Sequence, residues 1–192
     1  MEKKPERTQT LEAEDRKLLL ELARAALHAH QSGLSLDLSP YERESLRRPA
    51  GAFVTWKLDG ELRGCIGNVI ASGPLVEAVA ANAVAAAIRD PRFEPVSVYE
   101  ADSLALEISV LTPMTQVHDL EEIVVGRDGL MVRLGSRAGL LLPQVASEYG
   151  WDRQEFLQQT CRKAGLPLDA YLDPRCRIEK FSAEVFSEVY DS

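Results

Sequence analysis

The sequence predicts an α+β fold in which most strand pairing is antiparallel. Three observations carry that prediction. An amphipathic helical stripe opens the chain, with Leu19, Leu22, Ala23, Ala26 and Leu27 at helical spacing. Two hairpin-like stretches follow at different points, one around Asp59-Gly60 and one between Leu134 and Gly139. Helices and hairpins then succeed one another without the strand–helix–strand alternation that a parallel sheet requires.

The first helix is expected over residues 10–31, stopped by Ser32-Gly33. A loop containing Pro40 and Pro49 comes next, with a short helical turn at 41–46. Residues 53–58 read as a strand returning through the Asp59-Gly60 turn. A two-residue loop would set Leu58 opposite Glu61, Trp56 opposite Arg63 and Val54 opposite Cys65. In that register one face carries Val54, Trp56, Leu58, Arg63 and Cys65, and Trp56 can hold the Arg63 guanidinium against its ring.

Pro74 opens a second helix at a position where its missing donor is harmless, and an alanine-rich run carries it to Arg89. Such small residues imply close packing. Asp90-Pro91-Arg92-Phe93-Glu94-Pro95 breaks that helix. Residues 104–111 alternate, with Leu104, Leu106, Ile108 and Val110 on one face and Glu107 and Ser109 on the other. A short helix is expected at 118–123, a second hairpin from 130–134 and 139–142, and a short helix over 143–149. Asp152 with Glu155 resembles a capping box, and Phe156, Leu157, Thr160, Cys161 and Ala164 form the inner face of the helix it starts. Gly165 and Pro167 stop that helix, and a final strand is expected at 177–186.

The chain of 192 residues defaults to one domain, with room for two lobes. Residues 1–10 are charged and polar and read as a flexible tail, leaving 11–192 as the folded part. No apolar run approaches membrane-spanning length, and no apolar segment marks a signal peptide, so a cytoplasmic protein without membrane contact is expected. The net charge of −8, from 22 basic and 30 acidic side chains, argues against nucleic acid as a partner. Lys3-Lys4 and Arg47-Arg48 are too short to form a basic patch.

Cys65, Cys161 and Cys176 are odd in number and widely spaced, which is no disulfide framework. No Cys-x-x-Cys or His-x-x-x-His spacing exists, so no metal and no other cofactor is expected. His28 and His30 lie two apart near a helix end and share no face, and His118 has no ligand spacing to anything.

Cys65 is the main chemical candidate, two residues from Arg63 and between Gly64 and Gly67. A cation near a thiol favours the thiolate, and glycines allow close backbone approach. Against this stands the ordinary role of a free cysteine as a small buried hydrophobe. Asp90, Arg92 and Glu94 lie on a proline-stiffened loop and can face a polar ligand or one another. Glu107 sits in an otherwise apolar strand. It either faces solvent or pairs with Arg63 or Arg92, and in a site it would orient a group or act as a base.

Leu62-Arg63-Gly64-Cys65-Ile66-Gly67 resembles the signature hexapeptide, the LRGCIG motif, of the AMMECR-type domain family. Bacterial and archaeal members of that family are called AmmeMemoRadiSam system protein A. Asp90-Pro91-Arg92-Phe93 and Leu106-Glu107-Ile108-Ser109-Val110-Leu111 resemble its second and third motifs. Gly139-Leu140-Leu141-Leu142-Pro143-Gln144 and Lys163-Ala164-Gly165-Leu166 are similar to two further landmarks. The resemblance implies two unequal α+β lobes with mostly antiparallel sheets flanked by helices, and a cleft between or beside the lobes. It implies occurrence alongside a Memo-like protein and a radical SAM protein.

Two functions are therefore expected in competition. One is an accessory module whose signature strand lines a site for a small polar ligand or a partner segment, with Asp90 and Arg92 in binding roles. The other is a cysteine-dependent enzyme with Cys65 as nucleophile, Arg63 activating it and Glu107 orienting.

Overall fold

The computed structural model describes residues 11–188, so the expected tail at 1–10 lies outside the described residues. Contacts divide the chain into two compact units. Among the described residues, unit 1 comprises 11–111 and 184–188, and unit 2 comprises 112–183. Each holds one four-stranded sheet with its own hydrophobic core.

In unit 1, helix α1 (Ala13–Gln31) buries Leu19, Leu22, Ala23, Ala26 and Leu27, the stripe that predicted it. Gly33 follows at φ 68°, a left-handed conformation that suits glycine at a helix end. A 3-10 turn at Ser39–Tyr41 and the single-turn α2 (Glu44–Arg47) occupy the proline-containing loop. Strands β1 (Ala52–Leu58) and β2 (Glu61–Asn68) form the first hairpin. Helix α3 (Leu75–Ile88) and strand β3 (Ala105–Leu111) follow, and the sheet runs β2-β1-β3-β8, with β8 at Ala183–Ser187.

Val54, Trp56, Leu104, Leu106 and Ile108 are all fully or almost fully buried in a core shared with α1 and α3. Two polar groups in that core have partners, as burial demands. The Trp56 Nε1–H donates to the Ala83 carbonyl at 2.9 Å, and the Asn82 side-chain amide donates to the Ala52 carbonyl at 3.0 Å. The alanines of α3 let β2 come very near. A Cβ placed on Gly64 would lie 2.0 Å from the Ala86 carbonyl oxygen.

The hairpin register departs from expectation. Asp59 and Gly60 adopt φ 52° and 84°, the left-handed pair of a tight two-residue turn, and Leu58 does face Glu61. Lys57 then pairs with Leu62, but Trp56 pairs with Gly64, so Arg63 is an extra residue in a β-bulge. Beyond it every pairing is displaced by one. Thr55, not Val54, lies opposite Cys65, and Trp56 does not face Arg63. The cation over the Trp56 ring is Arg24, at 5.5 Å, not Arg63. The physical reason is Gly64. It takes the inward position against α3 that a regular ladder would have given to a residue with a side chain.

Unit 2 holds β4 (Thr115–Gln116), β5 (Gly129–Leu134), β6 (Arg137–Leu141) and β7 (Arg177–Phe181) in the order β4-β7-β5-β6. Helix α4 (Pro143–Glu148) has proline in its first turn, and α5 (Arg153–Lys163) begins in a complete capping box between Asp152 and Glu155. Phe156, Leu157, Thr160 and Cys161 are buried on α5, and Ala164 beside its end is buried too. The expected helix at 118–123 is one 3-10 turn, Leu120–Glu122, capped by Asp119.

The expected strand at 177–186 is two strands in two sheets, β7 and β8, broken at Ser182. The Ser182 backbone is claimed by Thr112. Its N–H donates to Thr112 Oγ1 at 2.8 Å and its carbonyl accepts from the Thr112 N–H at 2.8 Å.

Candidate functional site

The face of the first sheet opposite the α1/α3 core is half-exposed, and the register assembles it. Thr55 on the central strand β1 lies directly opposite Cys65 on β2 and directly opposite Glu107 on β3. Cross-strand partners share a face, so Cys65, Thr55 and Glu107 form one row. The Thr55 hydroxyl donates to Cys65 Sγ at 3.2 Å. Lys57, two residues along β1 and so on the same face, reaches Glu107 with 2.9 Å between Nζ and Oε2. Both ends of that pair are partly exposed, so it contributes at most about 1 kcal/mol to stability.

Cys65 is held a second way. β2 is an edge strand, and the Cys65 N–H donates to Asp90 Oδ2 at 2.9 Å rather than to a neighbouring strand. Asp90 is buried at the end of α3, where the Asp90-Pro91 step breaks the helix. Arg92 grips the same carboxylate with two parallel bonds, Nε to Oδ1 at 2.9 Å and Nη2 to Oδ2 at 2.7 Å, and its backbone N–H adds a third at 3.1 Å. The Arg92 side-chain hydrogen bonds hold the Asp90 carboxyl far below the usual carboxylate range, aided by the Cys65 and Arg92 backbone N–H groups and opposed by burial.

The Asp90 hydrogen bonds raise the pKa of the Arg92 guanidinium in turn. The Arg92 side chain remains 55% exposed, so one flank of the guanidinium faces outward. It also lies over the Phe93 ring at 5.5 Å.

Arg63 and Glu107 have other partners than the sequence suggested. The Arg63 guanidinium binds Glu100 through Nε at 2.7 Å and Nη2 at 3.2 Å, and donates from Nη1 to the Glu94 carbonyl at 2.8 Å. Glu100 is held below its ordinary pKa chiefly by Arg63. Arg63 thus ties the bulge of β2 to the 94–100 loop, while Arg92 shares its Asp90 acceptor with the Cys65 backbone N–H. Glu107 pairs with Lys57, not with Arg63 or Arg92. Glu94 enters only through its backbone oxygen. The structure therefore brings Cys65, Asp90 and Arg92 into one bonded cluster.

Sequence reasoning missed Thr55, Lys57 and Glu100. Thr55 was legible only with the correct hairpin register, Lys57 only with the β1–β3 pairing, and Glu100 only with the loop closed. Of the other cysteines, Cys161 is wholly buried, and burial pushes its thiol pKa up. Cys176 is half-buried with the same shift and cause. No group of three metal-ligating side chains occurs among the described residues.

The AMMECR1 family model matches residues 20–186, which include every residue of this cluster. The chain belongs to the AMMECR1 family. Its relatives extend over almost all of its length. A protein of Methanothermobacter thermautotrophicus is 43% identical over 185 residues, covering 93% of this chain and 96% of the relative. Protein PH0010 of Pyrococcus horikoshii is 44% identical over 183 residues, covering 90% and 89%. The crystal structure of uncharacterized protein PH0010 is similar throughout, with a TM-score of 0.76, 42% identity and 94% of each chain covered. AMMECR1 membership and this likeness agree with the α+β class read from the pattern of helices and hairpins. No helix among the described residues is long and apolar enough to cross a membrane.

Proposed function

We propose that this AMMECR1-family protein is a cytoplasmic binding component, and that the Cys65 face of its first sheet recognises a small polar ligand or a segment of a partner protein. The partners proposed are a Memo-like protein and a radical SAM protein. One observation carries the reading: Asp90 fixes both the backbone of Cys65 and the guanidinium of Arg92, leaving a half-exposed cation beside a half-exposed sulfur. Prepositioned donors on rigid elements are what a recognition site needs. Among the described residues the sulfur's hydrogen-bond partner is a hydroxyl, with no histidine or carboxylate bonded to it that could serve as a general base.

The test mixes the purified full chain with a Memo-like protein or a radical SAM protein. Co-elution and a raised melting temperature are expected, with both lost in Arg92→Gln. Absence of either effect with both partners sinks the proposal.

A second reading is favoured by the Thr55 hydroxyl, which holds the half-exposed Cys65 sulfur in one place on the sheet face. Here Cys65 is a nucleophile, with Arg63 and Glu107 as supports one step removed. Iodoacetamide labelling decides it. Faster alkylation of Cys65 than of free cysteine supports the enzyme, and equal or slower alkylation removes it.

A further inference from the structure

The second sheet carries a charge arrangement that folding alone does not favour. Arg133 on β5 and Arg177 on β7 are direct cross-strand partners, and both are exposed. Leu130, Val132 and Ile178 point into the core of unit 2, so alternation puts Arg133 and Arg177 together on the opposite face. Like charges directly opposite one another destabilise a sheet. Neither guanidinium forms an ion pair among the described residues; Arg133 rests one nitrogen 3.4 Å from the Met131 sulfur.

The partner of Arg133 on the other side, on edge strand β6, is exposed Ala138, which raises no wall beside the guanidinium. The next row along the sheet is Leu140, Met131 and Glu179, in which Met131 is buried and Leu140 and Glu179 are partly exposed. Glu179 is the acidic group on this face nearest in register, yet it forms no ion pair with either arginine among the described residues. In a chain of net charge −8, two guanidinium groups side by side without ion pairs among the described residues present donors suited to an anion.

We propose that Arg133 and Arg177 form an oxyanion-binding site that takes a carboxylate or phosphate group, each arginine offering a planar fork of donors. The bound anion supplies the negative charge that the sheet itself withholds. This site belongs to unit 2 and stands whether or not the Cys65 reading holds.

The test titrates the full chain at low ionic strength with inorganic phosphate, citrate and a hexaglutamate peptide, following the melting temperature and calorimetric binding. At least one probe is expected to bind, with affinity falling tenfold or more in Arg133→Gln and in Arg177→Gln. Arg175→Gln, which removes an arginine already paired with Asp173, is the control and is expected to bind as wild type. Preference for phosphate or citrate assigns a small-molecule ligand. Preference for the peptide assigns an acidic partner segment.

Arg133→Glu gives an independent readout. It sets opposite charges face to face, so it is expected to raise the ligand-free melting temperature by about 1–4 °C while abolishing binding. The proposal is overturned if no probe binds, if either Gln variant binds as wild type, if Arg175→Gln loses as much affinity, or if Arg133→Glu melts lower than wild type.

Discussion

The two hairpins of this protein are built from similar parts and end differently. Each turns on two residues, Asp59-Gly60 in the first and Gly135-Ser136 in the second. Each has a return strand carrying a glycine pressed against a helix. A Cβ on Gly64 would meet the Ala86 carbonyl oxygen at 2.0 Å, and one on Gly139 would meet the Ala164 nitrogen at 2.2 Å. The second hairpin keeps one register from Leu134–Arg137 to Leu130–Leu141. The first inserts Arg63 as a bulge and shifts everything beyond it. The regular hairpin serves its core, whereas the bulged one turns Cys65 away from the core to meet Thr55. Bulges recur where a strand must re-aim a side chain, and here the re-aimed group is the thiol.

The largest test of this contrast is Gly64→Ala beside Gly139→Ala. Both clash with backbone atoms that no side-chain rotation relieves, so each is expected to cost about 1–3 kcal/mol or more, read by urea unfolding. Gly64→Ala should also change Cys65 alkylation, and Gly139→Ala should leave it alone. Equal effects of both on the thiol would erase the distinction between the hairpins.

Next comes Asp90→Ala, which leaves the Cys65 N–H and Arg92 without their shared acceptor and is expected to cost about 1–3 kcal/mol. Because the folded-state pKa of Asp90 is depressed, its contribution is fully present above the unfolded carboxyl value of about 3.9. It is lost progressively as pH falls below that value towards the lower folded one. Wild type should therefore lose stability relative to Asp90→Ala between about pH 5 and pH 2, measured by melting temperature. Parallel acid limbs would show that Asp90 is not the anchor.

Thr55→Val is the smallest change. It removes the hydroxyl donor on the sulfur but keeps the shape, so stability should move by no more than about 1 kcal/mol. Alkylation of Cys65 at pH 7.5, set by the assay, should slow by roughly twofold to tenfold, as loss of one hydrogen bond to the reacting sulfur implies. An unchanged rate would mean that the row on the sheet face does not act on the thiol.

Much of this architecture was legible because its signals are local. The stripe from Leu19 to Leu27, the Asp59-Gly60 turn, the alternation from Leu104 to Val110 and the Asp152–Glu155 box all depend on neighbours a few residues away. What escaped depends on distant groups. The bulge at Arg63 arises from the approach of α3 to Gly64, and nothing between Phe53 and Gly67 announces it. The break at Ser182 comes from Thr112, far back in the chain. At the site, Cys65, Asp90 and Arg92 were each visible as candidates. Their joining through the Cys65 N–H was not, because a backbone donor on an edge strand leaves no mark in the sequence. Thr55 was missed because it meets Cys65 only in the displaced register of the first hairpin, and Glu107 went to Lys57 because β3 pairs with β1, a long-range choice that the local alternation does not reveal.

The break at Ser182 has a consequence for biosynthesis. Strand β8 completes the sheet beside β3, yet it leaves the ribosome only after all of unit 2 has been made. Until then β3 is an uncovered border with unpaired amides, the kind of surface on which nascent chains stick to one another. A chain stalled within unit 2 would carry that hazard, whereas release past Ser187 would end it.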